Sequence, residues 1–393
     1  MAVEPTSPYL IDQHSDPSRV DASSWNALLA RQAAPTPFMR HEFLSALVDS
    51  GCAVSSTGWM PCWLTLHRDG ALQAAAVAWL KSHSFGEYVF DWAWADAYRR
   101  HGLRYYPKLL SAVPFSPLPG TRLLAVDGPA RTALIHALRE RASARGLSSA
   151  HVLFVDETDR EALVHAGWSM RQGVQFHWRR EDGAPCACFE DFLASLQRDK
   201  RKKIQQERRR VADAGVEFTV LRGPEITPAH WAFFHRCYVA TYEAHRSTPY
   251  LAKRFFEQVA QALPELWVMF LGCRHGEPVA ASLIAVDETA GVAWGRYWGS
   301  TQPIACMHFE ACYYQPLQWC IARGLRRFEG GAQGEHKMAR GLLPVPTWSA
   351  HWLADARFAD AVDEYLEAER SGTQDYLQGL ASRSPFRDDQ GGP

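Results

Sequence analysis

The stretch FEGGAQGEHKMARGL, from Phe328 to Leu342, concentrates side chains that could hold or transform a ligand. Its glycines allow sharp turns and a close approach of the backbone to a ligand. The polar side chains among them are Gln333, Glu335, His336, Lys337 and Arg340. This density predicts a substrate-binding loop with the first four of these residues as contacts. The alternative is a surface loop with solvated charges.

A second group of titratable residues precedes this loop, in HFEACYYQPLQWCIARGL, whose apolar positions follow helical spacing. Glu310, Tyr314 and Gln318 are four residues apart, which places them along one face of the predicted helix. Partial burial can bring a pKa toward neutrality, so either Glu310 or the preceding His308 is a candidate general base. Tyr314 is a candidate substrate contact or, alternatively, a packing residue. Pro316 should kink the helix or mark its true start.

Two carboxylates lie among large aromatic residues in SFGEYVFDWAWADAY. Glu87 and Asp91 share one face of a predicted strand, and Lys108 or Arg104 could be their partner. We expect either a substrate-binding cluster of Glu87, Asp91 and Lys108 or a buried structural ion pair. In the second case the first half of the chain would act as a scaffold.

An arginine alternates with aromatic residues in AWGRYWGS. Arg296 lies between Trp294 and Trp298 in a predicted strand, which suits a guanidinium that clamps an anion or a planar group. Trp294 and Arg296 are therefore candidate substrate contacts. The alternative is stacking of the arginine on tryptophan for packing alone.

A basic run, RDKRKKIQQERRR, lies in a predicted helix over residues 193–214. Its apolar stripe is thin, so most of this helix is predicted to face water. Lys200, Arg201 and Lys203 are candidate anion-binding residues for the phosphates of tRNA or of a nucleotide-linked precursor. The alternative is a solvated charged face.

The composition excludes several classes of protein. The 393 residues carry a formal net charge of -1, so any contact with nucleic acid must be local. The nine cysteines form no C-x-x-C pair and the histidines form no H-E-x-x-H motif, so no metal site is predicted. The odd cysteine count and the lack of a secretion signal favour a cytoplasmic protein. No apolar run approaches about 18 residues, so no membrane insertion is expected.

A duplicated arrangement is predicted to position these residues. WLTLHRDGALQAAAVAWLKS begins at Trp63 and WVMFLGCRHGEPVAASLIAVD begins at Trp267. Each is typical of a β-hairpin with a turn glycine, Gly70 or Gly276. In each half the hairpin precedes strand, helix, strand, helix or loop, and strand. This order predicts a mixed α/β fold with helices packed on a central sheet.

The chain length predicts two domains. We place them at residues 21–182 and 186–370. Residues 1–20 and 372–393 have the composition of flexible tails.

This arrangement resembles the GNAT acyltransferase fold, and its two copies resemble the Fem-type aminoacyltransferases of peptidoglycan synthesis. More closely, the chain resembles the FemAB-like family of peptidoglycan biosynthesis or recognition proteins. Segments 43–64, 81–124 and 328–353 carry the resemblance, which extends over nearly the whole chain. It implies two tandem GNAT-like domains, each a central mixed sheet flanked by helices.

The resemblance also implies transfer of an acyl or aminoacyl group to an amine acceptor. Glu310 or His308 would take the proton, backbone N–H groups of splayed strands would hold the oxyanion, and Tyr297 could protonate a leaving group. The donor would be acyl-CoA or aminoacyl-tRNA, although neither half has a good copy of the R/Q-x-x-G-x-G/A loop that binds the pyrophosphate of coenzyme A. The alternative is a catalytically degenerate module that binds a peptidoglycan precursor, an amino-acid derivative or RNA.

Overall fold

The computed structural model describes residues 8–180, 186–332 and 334–387. The chain divides into two compact units. The first unit contains the described residues up to Gly173 together with Thr347–Gln374, and the second contains those of Val174–Pro346 and those from Asp375 onward. The sequence analysis placed residues 347–370 in the second domain, whereas they belong to the first unit because Trp348 and the residues after it pair with a strand of that unit.

The elements are numbered in chain order. Up to residue 179 they are β1 Leu10–His14, α1 Ala22–Ala30, α2 His41–Asp49, β2 Trp59–Arg68, β3 Ala71–Lys81, α3 Trp92–Arg100, β4 Lys108–Ser111, β5 Leu124–Ala125, α4 Gly128–Ala144, β6 Ser149–Val155, α5 Glu157–His165 and β7 Ser169–Arg179. Short 3₁₀ helices lie at Pro17–Arg19, Pro37–Met39, Ser55–Thr57 and Gly223–Glu225.

The elements after β7 include the predicted basic helix and the predicted second hairpin. They are α6 Phe189–Ser195, α7 Arg198–Asp213, β8 Val216–Arg222, α8 Pro228–Ala244, α9 Lys253–Ala262, β9 Trp267–Arg274, β10 Glu277–Asp287, β11 Val292–Ser300, α10 Met307–Phe309, a π-helical turn Glu310–Tyr314, α11 Gln315–Ala322, β12 Arg327–Ala332, a 3₁₀ helix Glu335–Arg340, β13 Leu343–Leu353 and α12 Ala356–Ala381.

Each unit contains a mixed sheet. In the first unit the strand order is β1-β2-β3-β4-β6, and the part of β13 from Trp348 pairs antiparallel with β6. In the second unit the order is β7-β12-β11-β10-β9-β8. β4 and β6 are parallel in the first unit, as β11 and β12 are in the second, so both sheets mix parallel and antiparallel pairs.

Both predicted hairpins are confirmed. Asp69 and Gly70 join β2 to β3 with φ of 53° and 75°, and His275 and Gly276 join β9 to β10 with φ of 52° and 82°. Positive φ at both turn residues is the geometry of a type I′ turn, whose twist matches that of the paired strands.

The second sheet is covered on both faces, and this arrangement positions the candidate site. On one face, Phe328 and Ile284 pack in the same apolar cluster as Leu317 of α11. Tyr238 of α8 contacts Tyr297 of β11, with ring centroids 5.6 Å apart. The helices therefore hold β11 and β12 between two packed layers.

The expected tails are wrong over their described parts. β1 pairs with β2 from Leu10 opposite His67, and Tyr9 is buried. At the other end, α12 extends to Ala381 and Leu380 is fully buried in the second unit. A terminal segment with few apolar residues can still be ordered when those residues are buried against an apolar surface, because their burial lowers the free energy of folding.

Candidate active site

The central strands of the second unit separate at one end. β11 and β12 pair in parallel only between Val292–Trp294 and Arg327–Glu329. Beyond this point β11 continues alongside β10 as far as Ser300, whereas β12 continues alongside β7. The two strands therefore open a cleft within the sheet.

β11 carries a β-bulge where the cleft opens. Leu283 pairs with Tyr297 and Ile284 pairs with Gly295, which leaves Arg296 as the extra residue. A bulge interrupts the ladder and redirects side chains, and bulges are frequent beside active sites. The Arg296 guanidinium donates to the hydroxyl of Tyr297 at 2.7 Å and lies 4.7 Å from the centroid of its ring.

A cavity of about 160 Å³ lies at this cleft. Its lining residues come from β10, β11, β12 and the helical segment after β11: Ser282, Leu283, Ile284, Gly295, Arg296, Tyr297, Trp298, His308, Cys312, Tyr313, Phe328 and Gly330. Three of the predicted site residues, Arg296, Tyr297 and His308, are thereby brought together. Pockets that bind drug-sized ligands measure about 300–1,000 Å³, so this smaller cavity fits a small group.

The helical wall of the cavity is irregular. Residues Glu310–Tyr314 form a π-helical turn, and α11 begins at Gln315 with Pro316 in its first turn. Proline lacks the N–H that would continue the α-helical ladder, so the turn before it must bond differently. The hydroxyl of Ser282 donates to the carbonyl of Ala311 in this turn. Pro316 was expected to kink the helix or mark its true start, but helical backbone continues from the π-helical turn into α11, so the proline marks a change of helix type.

His308 is a half-buried residue on the cavity wall. Its ring lies 4.6 Å from that of Trp298. Burial, followed by the charges of His336, Arg340 and Lys337, lowers the pKa of His308 to about 4. The imidazole is therefore neutral at pH 7 and has a ring nitrogen that can accept a proton or a hydrogen bond.

Glu310, the other candidate base, is not among the cavity-lining residues. Its Oε1 accepts from Arg208 of α7 at 3.2 Å and from Gln315 at 2.7 Å. Arg208 also donates to Gln318 at 2.8 Å. The polar line on the predicted helix therefore binds α7 through Oε1 of Glu310, whereas its Oε2 is buried without a hydrogen-bond partner among the described residues.

Tyr314 is a packing and hydrogen-bonding residue rather than a cavity contact. Its hydroxyl donates to Glu207 of α7, whose carboxylate also accepts from Arg340 at 2.9 Å. Sequence analysis did not single out Glu207, which lies within the basic run. Its spacing could have revealed its burial, because Glu207 lies three residues after Ile204 and four before Val211, on the same helix face. These three are the buried positions of α7.

The glycine-rich segment contributes one wall of the cavity. Gly330 lines it, and a Cβ atom at this position would lie 2.4 Å from the side chain of Leu342. Lys337 is buried and donates to the carbonyls of Gly330 at 2.7 Å and Gly331 at 3.3 Å. Burial lowers the pKa of Lys337 to about 8. Lys337 therefore links the second half of the glycine-rich segment to its first half through hydrogen bonds.

The remaining predicted residues of this loop differ in their contacts with the cavity wall. His336 is exposed, and its Nε2 lies 3.4 Å from the hydroxyl of Tyr313, which lines the cavity. Glu335 is exposed and pairs with Arg383 at 3.3 Å. Gln333 lies outside the described residues. His336 and Lys337 thus each contact a residue of the cavity wall, Tyr313 and Gly330 respectively.

Trp294 marks the closed end of the cleft. It is buried, and its backbone pairs with that of Glu329 on β12 in the parallel part of the sheet. Burial raises the pKa of Glu329 to about 7. Trp294 is not among the cavity-lining residues, so its role in the structure is to hold β11 against β12.

The carboxylates predicted in the first unit form a buried charge cluster. The Lys108 ammonium donates to Glu87 Oε2 at 2.7 Å, to Ser84 at 2.8 Å and to Asp91. Glu87, Asp91 and Lys108 are all at most 4% exposed. Lys108, rather than the exposed Arg104, is therefore the partner of both carboxylates.

A second buried ammonium changes the protonation of this cluster. Lys81 lies 3.9 Å from Glu87 and 3.6 Å from the ring centroid of Trp59. Burial lowers the pKa of Lys81 to about 7 and raises the pKa of Glu87 to about 7. Burial would raise the pKa of Asp91 too, but Lys108 lowers it to about 2. Lys108 and Asp91 are thus the stable charged pair, whereas Glu87 Oε1 and Asp91 Oδ1 are buried without a hydrogen-bond partner among the described residues.

The basic helix presents a charged surface on the second unit. Lys203, Arg209 and Arg210 of α7 are exposed, whereas Lys200 and Arg201 are half-buried. Lys200 is paired with its neighbour Asp199 at 2.8 Å. Of the three predicted anion-binding residues, Lys203 is thus the one most open to solvent.

The described residues contain neither a metal-site grouping nor a membrane-spanning helix. Over those ranges, no three His, Cys, Asp or Glu side chains are grouped as a metal site would require. Within the same ranges, no helix combines the length and apolar character needed to cross a bilayer.

Solved structures show the fold of this chain. FemX matches 90% of it and all of its own chain at 12% identity with a TM-score of 0.53. L-PGS from Bacillus licheniformis matches 85% of this chain and 93% of its own at 11% identity with a TM-score of 0.54. The predicted fold class, a mixed α/β fold of tandem GNAT-like domains as in Fem-type proteins, is confirmed.

Comparison of the sequence with known proteins identifies its family. No curated protein matches the chain. The sequence model of the FemAB-like family, described as peptidoglycan biosynthesis/recognition, matches residues 16–388. Because this match spans nearly the whole sequence, the chain belongs to the FemAB-like family.

Proposed function

We propose that the protein is an N-acyltransferase that transfers an acyl or aminoacyl group to an amine within the cavity of the second unit. The observation that carries the proposal is the cleft between β11 and β12, with its bulge at Arg296 and the neutral imidazole of His308 on its wall. The FemAB-like family supports a peptidoglycan precursor as the source of the amine.

In the proposed reaction the acceptor nitrogen attacks the carbonyl carbon of the donor. The carbonyl oxygen becomes an oxyanion, which backbone N–H groups at the separated strands would hold. His308 takes a proton from the nitrogen of the tetrahedral adduct. Its depressed pKa suits this acidic N–H better than a free ammonium ion. The C–O or C–S bond of the donor then breaks, and Tyr297 protonates the leaving atom.

The contacts of Glu310 favour His308 as the base. One oxygen of the Glu310 carboxylate, Oε1, is bound by Arg208 and Gln315, and Glu310 does not line the cavity. His308 and Tyr297 both line the cavity. The glycine-rich wall, with His336 beside Tyr313, would contact the bound substrate.

Aminoacyl-tRNA is the better supported donor. In GNAT enzymes the pyrophosphate of coenzyme A is held by free backbone N–H groups at the start of the helix after the cleft strand. Here that helix begins with Cys306 at φ 65°. The N–H groups of Met307, Phe309 and Glu310 already donate to Ile304 and Cys306 carbonyls. The exposed cations of α7 could instead bind tRNA phosphates.

The donor can be tested by thermal unfolding of the full chain with aminoacyl-tRNA or with acetyl-CoA. A ligand at about 100 times its Kd should add about 2.7 kcal/mol to the free energy of unfolding. We expect this shift with aminoacyl-tRNA only, and a weaker one after Lys203→Gln and Arg209→Gln. Arg31→Gln, an exposed arginine on the first unit, is the matched control. A shift with acetyl-CoA alone would contradict the assignment of the donor.

The transfer step needs a separate assay. Mass spectrometry of an amine acceptor should detect the mass of one added aminoacyl group with the wild-type protein. His308→Ala should remove most of this product while leaving the donor-induced thermal shift in place.

A binding module is the second candidate, because the depressed pKa of His308 makes it a weak base and Glu310 does not line the cavity. It would be favoured if the wild-type protein bound both substrates and formed no product.

A further inference from the structure

The first unit carries a cluster of exposed aromatic side chains. Phe85, Tyr88, Phe90 and Trp92 are 55%, 37%, 51% and 42% exposed. The rings of Phe85 and Trp92 contact each other, with centroids 5.1 Å apart. We call these four residues the aromatic patch. Concentrated apolar exposure of this kind marks an interaction site more often than isolated surface residues do.

The aromatic patch is held rigidly from beneath. Glu87 and Asp91, which alternate with the aromatic residues, point inward to Lys108. The Lys81 ammonium donates to the carbonyl of Phe85 at 3.3 Å, and Arg171 donates to that of Phe90 at 2.6 Å. A fixed loop loses little conformational entropy on docking. The buried charge cluster thus fixes the backbone that carries the aromatic patch and orients its side chains toward the surface.

Arginines continue the same surface along α3. Trp92, Asp96 and Arg99 are spaced at i, i+4 and i+7, which places them on one helix face. The side chains of Arg99 and Arg100 are 78% and 66% exposed and share the single carboxylate of Asp96. Arg104 follows and is exposed. The surface beside the aromatic patch therefore has a net positive charge.

The acidic helix α12 lies behind this surface. α3 packs against it through Trp94 and Tyr98, which share a cluster with Val362 and Leu366. Helical spacing places Trp94 and Tyr98 away from the Trp92–Arg99 face. Glu369 of α12 is neutralised by Arg171, which also donates to the carbonyl of Phe90.

We propose that the aromatic patch and the arginines of α3 dock the protein on the surface of a lipid bilayer that contains anionic lipids. Aromatic rings favour the headgroup level of a bilayer, and arginine side chains can reach its phosphates from there. Basic residues next to an apolar surface are attracted to anionic lipids. A patch of four rings on a folded unit suits a protein that lies on the membrane. This inference does not depend on the proposed function.

Sedimentation with lipid vesicles tests the proposal. The full chain is mixed with vesicles of phosphatidylcholine alone or with about one third phosphatidylglycerol. We expect the protein to sediment with the anionic vesicles at least fivefold more than with the neutral ones. Phe85→Ser combined with Trp92→Ser should reduce this fraction at least tenfold. Arg99→Gln combined with Arg100→Gln should remove the preference for anionic lipid.

Matched controls separate docking from folding and from self-association. Tyr365→Ser removes an aromatic residue of similar exposure, 44%, on α12 and should leave vesicle binding unchanged. All variants should keep the wild-type Tm because the substituted side chains are exposed. Absence of vesicle binding by the wild-type protein would overturn the proposal. So would analytical ultracentrifugation that showed a dimer dispersed by Phe85→Ser and Trp92→Ser, since the patch would then bind a second copy.

Discussion

Lys108→Met should destabilise the protein strongly, because it removes the ammonium that binds two buried carboxylates. The Lys108 Nζ donates to Glu87, Ser84 and Asp91, and all four side chains are buried. Removal of one partner from a buried ion pair costs about 3–5 kcal/mol, since the remaining charge has neither water nor a partner. For a folded unit of about 150–250 residues this corresponds to a loss of about 6–20 °C in Tm.

Thermal and urea unfolding followed by circular dichroism would measure this effect. Lys203→Met is the matched control, because Lys203 is exposed on α7 and its replacement should change the free energy of unfolding by at most about 0.5 kcal/mol. Adding Asp91→Asn and Glu87→Gln to Lys108→Met should recover part of the loss, because the buried charges disappear together. A loss below about 1 kcal/mol for Lys108→Met would refute the reasoning.

The pH dependence of the same variant gives a second test. Burial raises the pKa of Glu87 to about 7, so the folded state retains a proton that the unfolded chain releases at lower pH. The stability from this group is present at low pH and is lost as the pH rises toward about 7. Lys108→Met should therefore cost less at pH 5 than at pH 8. An equal loss at both values would contradict the assignment of Glu87.

The remaining predictions concern the second unit. Glu207→Ala should cost about 3–5 kcal/mol in urea unfolding, because it leaves a buried guanidinium without its carboxylate, whereas Gln206→Ala on the exposed side of α7 should be nearly neutral. Gly330→Ala should cost about 1–3 kcal/mol and weaken any ligand bound in the cavity, because its Cβ would lie 2.4 Å from Leu342. Gly128→Ala is its control, since no atom lies within 4 Å of the added group, and equal stability of the two variants would contradict the close packing.

Local patterns in the sequence predicted several secondary elements, but the strand predicted around Glu87 and Asp91 is a loop that leads into α3. The two hairpins follow from apolar runs separated by a turn glycine, at Gly70 and Gly276. Pro316, which lacks an N–H, predicted an irregularity in the helix, and the helix type changes there. The order of elements then predicted the fold class. These features depend on residues that are close together in the chain, so their signals can be found without the tertiary structure.

The candidate site was predictable only in part. Arg296, Tyr297 and His308 line one cavity, and their roles in binding and catalysis stay predictions. The π-helical turn and the bulge at Arg296 were not expected, since both arise from how strands and helices pair. The flexible tails were wrong because Tyr9 and Leu380 find apolar surfaces far away in sequence.

The sequence by itself determined which chemical groups are present and on which element each one lies. The tertiary structure decided which of them face a ligand and which face each other. Glu310 and Tyr314 look like site residues on their helix, but α7 supplies Arg208 and Glu207 about a hundred residues away and binds both. Glu87 and Asp91 are similarly occupied by Lys108. A buried charge must be paired wherever its partner comes from along the chain, and only the folded structure shows that partner.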